Sequence, residues 1–257
     1  MALNPCLTDW HGRVVWIIGG TTGIGRATAA RLHAAGARVV VSGRRPELLA
    51  NFEHDHPGSL GLQADVTDLN SLRAASAAVL HRHGRLDLVF VCSGHYRAQR
   101  ATAFDLAEAL RHLDINQAGV LRVLEVVLPV FLQQGHGHLS LAGSVSGYRG
   151  LPQALAYGPT KAALINLAEV LHLDLSRAGI GVSIVNPGFV DTPLTAQNDH
   201  AMPGLMTPEA AAQRILQGWA RGRFEIHFPR RLSWTLKLIR HWPDRWYFTF
   251  VHAFTGL

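Results

Sequence analysis

An α/β fold, a parallel seven-stranded sheet doubly wound by helices on both faces, is predicted by three observations. Apolar runs of strand length alternate with longer stretches of helical period, the pattern of strands joined by crossover helices. Runs such as VVWII, VVV and LVFV lack polar alternation, as strands buried on both faces do. The first run passes directly into a glycine turn and then a helical stretch.

Taken in order, the strands are expected at Val14 to Ile18, Arg38 to Val41, Leu60 to Gln63, Leu86 to Val91, His138 to Ala142, Val182 to Val185 and Glu225 to Phe228. Helices are expected to begin near Ile24, Leu69, Ala103, Tyr157 and Pro208. No repeat, low-complexity tract or linker divides the chain. Residues 1–257 are therefore expected to form one domain, with 192–220 as a substrate lid and 229–257 as an amphipathic C-terminal extension.

Composition narrows the function classes. With 48% hydrophobic and 16% charged residues, the 257-residue chain has enough apolar mass for one large core, which excludes overall disorder. The longest apolar stretch, Val120 to Leu132, is broken by Arg122, Glu125 and Pro129, so no membrane-spanning helix is expected. The first fifteen residues lack the basic start and apolar segment of a secretory signal, and Cys6 and Cys92 cannot make a disulfide framework. A cytoplasmic location is the expectation. The net charge of +6 sits at one end: residues 221–257 carry seven cations against Glu225 and Asp244, which leaves +1 for the first 220 residues. A nearly neutral body argues against a nucleic-acid partner.

The first strand runs into Gly19-Gly20-Thr21-Thr22-Gly23-Ile24-Gly25 and then a helix. Glycines let the chain turn tightly and bring backbone N–H groups against a pyrophosphate at the positive end of the helix dipole. The backbone of Gly19, Thr21, Thr22, Gly23, Ile24 and Gly25 is thus expected to bind a dinucleotide in a Rossmann fold. The second strand ends Val41-Ser42-Gly43-Arg44-Arg45, with no acid to take the ribose hydroxyls of NAD(H). A guanidinium at Arg44 pairs with a 2′-phosphate, so NADP(H) is favoured over NAD(H). The alternative is that Arg44 and Arg45 merely open a solvated helix.

Tyr157-Gly158-Pro159-Thr160-Lys161 places a lysine one helical turn after a tyrosine, so both project from one face. Lys161 is one of only two lysines in the chain. A nearby ammonium favours the phenolate, so the Tyr157 pKa is expected to fall toward neutrality, where the phenol could serve as acid or base.

Over nearly its whole length the sequence resembles the short-chain dehydrogenase/reductase family. Gly19, Gly23 and Gly25 match that family's glycine motif, with Ile18 where Thr is usual, and Asp65-Val66 matches the pair whose Asp approaches the adenine amino group. Asn116 matches the active-site asparagine on the proton path, and Ser144, thirteen residues before Tyr157, the serine that hydrogen-bonds the substrate carbonyl. Asn186-Pro187-Gly188-Phe189-Val190-Asp191-Thr192 matches the segment after the sixth strand, where Pro187, Gly188, Val190 and Thr192 would meet the nicotinamide. The resemblance implies hydride transfer between nicotinamide and a carbonyl or alcohol. Tyr157 would be the proton donor, Ser144 would polarise the oxygen, Lys161 would hold the ribose and Asn116 would support the relay. It also implies a homodimer or homotetramer. One segment departs from the pattern: Val91-Cys92-Ser93-Gly94 stands where Asn-Asn-Ala-Gly is common, so another group must satisfy those backbone positions, although Gly94 keeps the close approach to the cofactor. Cys92 reads as a small buried hydrophobe.

Substrate specificity is expected in loops around His95-Tyr96, Tyr148-Arg149 and Leu194 to Met206, the last apolar enough either for a lid or for the ordinary covering of a core edge. Residues 224–257 hold nine of the twenty aromatics, and Leu232, Leu236, Ile239 and Trp242 form a helical stripe ended by Pro243. Basic residues flanking Trp and Leu suit a helix lying in a membrane interface, here at the inner face; packing on a second subunit or on the core would use the same residues, and aromatics with arginine also stack bases. This ending is similar to the branch containing 3-ketodihydrosphingosine reductases, which implies a hydrophobic or long-chain lipid ketone as substrate. The alternative function is a non-catalytic NADP(H)-binding redox-sensing regulator, against which the joint presence of Tyr157, Lys161, Ser144 and Asn116 speaks. No metal site is expected, because His54/His56, His81/His83 and His136/His138 have no carboxylate or cysteine at ligand spacing.

Overall fold

The computed structural model describes residues 2–197 and 202–255. Seven parallel strands form one sheet in the order β3-β2-β1-β4-β5-β6-β7. They are β1 Val14–Ile18, β2 Arg38–Gly43, β3 Leu60–Gln63, β4 Leu88–Val91, β5 Gly137–Ala142, β6 Ile180–Pro187 and β7 Glu225–Phe228. All seven expected strands form, and the sheet is wound on both faces.

The helices are α1 Gly23–Ala34, α2 Pro46–Asp55, α3 Leu69–His83, α4 Leu106–Leu113, α5 Gly119–Gln134, α6 Tyr157–Leu175, α7 Pro208–Ala220, α8 Arg230–Ile239 and α9 Asp244–Thr255. Local chemistry explains their starts. Asp68, Asp105 and Thr207 cap α3, α4 and α7 by accepting backbone N–H groups, and Pro208 opens the first turn of α7. The expected start near Ala103 falls instead at Leu106, because Ala101–Ala103 is a separate short 3-10 turn and Asp105 takes the cap. A π-helical turn, Asp114–Ala118, joins α4 to α5.

Alternate residues of β1 enter opposite cores. Val14, Trp16 and Ile18 pack with residues of α3, α5 and α6, whereas Val15 and Ile17 pack with residues of α1, α2 and α7. Both faces of the strand are thereby buried, which is why it reads as a continuous apolar run. By length and composition, one helical run among the described residues, Leu106–Gln134, reaches what a membrane crossing requires, a length the stretch Val120 to Leu132 does not reveal. Val123, Val127 and Phe131 of that run are fully buried in the core.

Of the stretch 192–220, Pro208–Ala220 is not a lid but α7, with Ala211, Ile215 and Trp219 fully buried, and residues 198–201 lie outside the described residues. The C-terminal extension folds back as α8 and α9. The stripe Leu232, Leu236, Ile239 and Trp242 is its half-buried to buried side, and Ile239 forms a small core with Tyr247 and Val251.

Candidate active site

The strand order reverses at β1, with β2 on one side and β4 on the other, and crevices form at the carboxyl ends of such strands. A cleft of about 540 Å3 opens there, a size typical of small-molecule sites. Its glycine wall is dictated by sterics. Gly19 has φ +85°, and a Cβ on it would lie 2.5 Å from the Ser93 amide nitrogen; one on Gly25 would lie 2.2 Å from the Gly19 carbonyl oxygen. Only glycine lets this turn cross the end of β4 so closely.

Most of the residues expected to bind the cofactor line this one cleft. Thr21, Thr22, Gly23 and Ile24 border it beside Gly19 and Gly25, as do Arg44 after β2, Asp65 and Val66 after β3, Gly94 after β4, and Pro187 and Thr192 after β6. Asp65 accepts the Thr67 N–H and hydroxyl through Oδ1, each at 2.9 Å. Gly188 and Val190 stand back from the wall. The Gly188 N–H donates to the Phe228 carbonyl at 2.7 Å, and Val190 bridges to Met206, so β7 and the segment before α7 engage them instead.

The reacting groups converge on the opposite wall. Tyr157 and Lys161 both border the cleft from the first turns of α6, and the Lys161 Nζ donates to the Ala142 carbonyl at 2.8 Å. Ser144, just behind, hydrogen-bonds the Tyr157 side chain and accepts the Ser146 N–H at 3.1 Å. Asn116 is fully buried in the π-helical turn. Its amide clamps His95 from both sides, Oδ1 accepting the His95 N–H at 2.7 Å and Nδ2 donating to the His95 carbonyl at 2.9 Å, and Nδ2 also reaches Thr160 Oγ1. This clamp and a Cys92 N–H to Ile18 carbonyl bond of 2.8 Å hold the two ends of the unusual Cys92-Ser93-Gly94 segment. Burial pushes the Cys92 thiol up to about 12, which leaves it unreactive near neutrality.

One expectation is overturned. Burial pushes the Tyr157 hydroxyl up to about 12, and the Ser144 hydrogen bond opposes that rise without cancelling it. Burial also lowers the Lys161 ammonium to about 8, and its Nζ is turned to a carbonyl. Desolvation of the phenolate therefore outweighs the help expected from the lysine.

Among the substrate loops, His95, Tyr96, Leu194 and Gln197 border the cleft, but Tyr148 and Arg149 do not. Tyr148 donates to Glu225 at 2.5 Å, and Arg149 donates to the carbonyls of Arg240 and Trp242, each at 2.9 Å. These two side chains anchor the C-terminal extension.

A cluster next to the cleft escaped the sequence reading. Glu108 accepts from His95 Nε2 and lies 3.4 Å from His112 Nδ1, and the His95 and His112 rings are 4.7 Å apart. His112 Nε2 accepts the Arg97 N–H at 3.1 Å and its Nδ1 donates to the Glu108 carbonyl at 2.8 Å, so both ring nitrogens are engaged in hydrogen bonds rather than open to an ion. Burial pushes the Glu108 carboxyl up, but the His95 hydrogen bond and the charges of His95, His112 and Arg111 outweigh it and hold the group below its usual value. The Glu108/His112 spacing of one helical turn was the available signal, and only the tertiary fold brings His95, thirteen residues before Glu108, to it. Tyr96 adds a ring 4.9 Å from that of Tyr157, edge to face.

The cleft fits a nicotinamide dinucleotide: it has a glycine cradle that any Cβ would fill, a cation after β2, and a buried Ser93 hydroxyl without a protein partner. Comparison with known proteins agrees. A family model described as short chain dehydrogenase matches residues 13–203. An uncharacterised oxidoreductase of Myxococcus xanthus is 31% identical over 242 residues, covering 93% of this chain and 96% of the relative. A short-chain dehydrogenase/reductase from Burkholderia phymatum in complex with NAD superposes with a TM-score of 0.82 at 23% identity, over 90% of this chain and 94% of that one. An actinorhodin polyketide ketoreductase variant with NADPH gives 0.76 at 24% identity, over 84% and 95%. The two solved structures share the fold, whereas the family model spans the glycine turn, Ser144, Tyr157 and Lys161 together. On that breadth of match, the chain belongs to the short-chain dehydrogenase/reductase family of oxidoreductases, which act on carbonyl and alcohol groups with a nicotinamide cofactor.

Proposed function

We propose that this protein is an NADP(H)-dependent carbonyl reductase whose substrate is an apolar, long-chain ketone. The observation that carries the reading is that Tyr157 and Lys161 line the same cleft as the glycine turn, with Ser144 directly behind Tyr157. When bound, the nicotinamide supplies the hydride. The chain's own residues handle the proton and the geometry. Tyr157, kept protonated at neutral pH by burial, donates its hydroxyl proton to the carbonyl oxygen as that oxygen gains negative charge. Ser144 Oγ, hydrogen-bonded to the same tyrosine, stabilises the developing oxyanion. Lys161 sits where its ammonium would hold the nicotinamide ribose, and Asn116 fixes the floor of the site through its clamp on His95.

Preference for NADP(H) is supported by exposed Arg44 at the cleft and by the absence of an acid at the end of β2. An apolar substrate is supported by Tyr96, Pro193 and Leu194 on the cleft wall. A homodimer or homotetramer is supported by exposed Leu110, Leu113 and Leu121 on α4 and α5 and Leu173 on α6. The expected setting is the cytoplasm. The test is NADPH oxidation with 3-ketones of graded chain length: kcat/KM should rise with each added methylene until the cleft is full. A rate that does not depend on chain length removes the lipid substrate, and no turnover with any ketone removes the reductase.

A further inference from the structure

The sequence suggested one apolar stripe on the tail, and that stripe faces the body of the protein. The opposite side of α8 is apolar as well. Trp234 and Leu238, one helical turn apart, are 60% and 68% exposed, and Arg230 and Arg231 lie a turn before Trp234 on the same solvent-facing side. Trp246 and Phe248 of α9 add two exposed aromatics, at 65% and 54%. These helices are not frayed ends. Lys237 pairs with Glu225, Ser233 bonds His227 at 2.7 Å, and the Tyr247 hydroxyl donates to the Gly150 carbonyl at 2.7 Å. The aromatic side is therefore held outward by a rigid inner side. The inner side reaches the segment beside the cleft, because Leu232 and Pro229 pack on Gly188, next to Pro187 of the cleft wall.

We infer that the outer side of α8, with Trp246 and Phe248, is a docking surface for an anionic lipid bilayer. Tryptophan and leucine would seat at the boundary between headgroups and acyl chains while the arginines meet lipid phosphates, the arrangement of an interfacial amphipathic helix. Charge selects this occupant. Residues 221–257 carry a net charge of +5, the difference between their seven cations and two acids. No acid lies in α8, and its one lysine, Lys237, is already paired inward. A second copy docked through the same surface would bring Arg230 and Arg231 and their equivalents into one interface of like charge, whereas an anionic surface complements them. The inference concerns the surface alone and holds whatever ketone the cleft accepts.

Flotation of the full-length protein with vesicles tests it, using phosphatidylcholine alone against an equal mixture with phosphatidylglycerol. The protein should partition onto the mixed vesicles at least tenfold more strongly than onto neutral ones, and raised salt should weaken the attachment. W234S/L238S and R230E/R231E should each lose at least tenfold in partitioning and leave reduction of a small water-soluble ketone unchanged. Equal partitioning of wild type and both variants overturns the inference. So does a dimer in sedimentation velocity that either variant dissolves, or retention of an oligonucleotide in place of the vesicles.

Discussion

The Lys161 Nζ donates to the Ala142 carbonyl at 2.8 Å while lying 5.5 Å from the centre of the Tyr157 ring. Lys161 is buried and Tyr157 half-buried on the cleft wall, and desolvation disfavours the charged form of each: the phenol moves up to about 12 and the ammonium down to about 8. In the free protein the pair is thus tuned toward neutrality of both members. Its lysine is the one whose charge changes in the working pH range.

That value sets a pH dependence for cofactor binding. Lys161 is cationic below about pH 8 and loses its charge above it, and an anionic dinucleotide favours the cationic form. NADPH affinity, followed by cofactor fluorescence, should be flat below that pH and weaken above it by up to about tenfold per pH unit. Lys161→Met should be weaker throughout and lose this dependence. An affinity that does not change across the range would mean that the lysine does not contact the cofactor.

Tyr157→Phe removes the proton donor and leaves the ring and the cleft wall in place. NADPH affinity should stay within about twofold of the wild type while kcat falls by about 10²–10⁴-fold, the usual worth of a positioned acid. Near-normal turnover would show that another group supplies the proton.

Arg44 is exposed, with no acid beside it at the end of β2, so its side chain contributes little to folding. Arg44→Asp should raise the KM for NADPH by about 10–100-fold, the loss of one charge-assisted pair plus a new repulsion, and lower that for NADH. If the ratio of the two cofactors' kcat/KM values does not move, the arginine only opens α2.

The inner strands were legible because each is buried on both faces and so reads as an apolar run, whereas the edge strands β3 and β7 are only partly buried. Tyr157 and Lys161 were legible because one helix turn fixes their relation locally. What the sequence hid depends on chain reversals. Helix α2 is short and polar, and nothing local distinguishes Tyr148 and Arg149, which hold the tail, from His95 and Tyr96, which line the cleft. The raised Tyr157 pKa was hidden for a similar reason, since spacing reports the neighbouring ammonium but not the burial that outweighs it.

Glu108 has a carboxyl pKa held below its usual value, so its ionised form stabilises the fold above the ordinary carboxylate range, and that contribution disappears as pH falls through the lowered value. Glu108→Gln keeps the shape and removes the charge that accepts from His95. Urea unfolding at neutral pH should show a loss of about 1–2 kcal/mol, the usual worth of a hydrogen bond to a charged group. The difference between variant and wild type should shrink as the pH approaches the acid transition. A KM for ketone that rises more than kcat falls would further identify Glu108 as a positioning residue for His95 on the cleft wall. Equal stability at both pH values would show that the contact with His95 contributes nothing.

Arg149 holds α9 through contacts of unequal weight. The ion pair with Asp244 adds little, because that carboxylate is 84% exposed and water screens it. The two 2.9 Å bonds to the carbonyls of Arg240 and Trp242 satisfy groups at the end of α8, and the guanidinium lies 3.9 Å from the centre of the Tyr247 ring. At about 1 kcal/mol for each bond and 1 for the stacked cation, Arg149→Ala should weaken the attachment of α9 by about 3 kcal/mol. Because α9 packs on a small core of its own with Ile239, the loss should open the tail locally and leave the sheet folded. Limited proteolysis should then cut the variant between α8 and α9 far faster than the wild type, while Arg149→Lys, which keeps one nitrogen for the two carbonyls but loses the flat guanidinium over the Tyr247 ring, should rescue only in part. Cleavage at the wild-type rate would transfer the anchoring role to Glu225 and Lys237, which tie α8 to β7 without it.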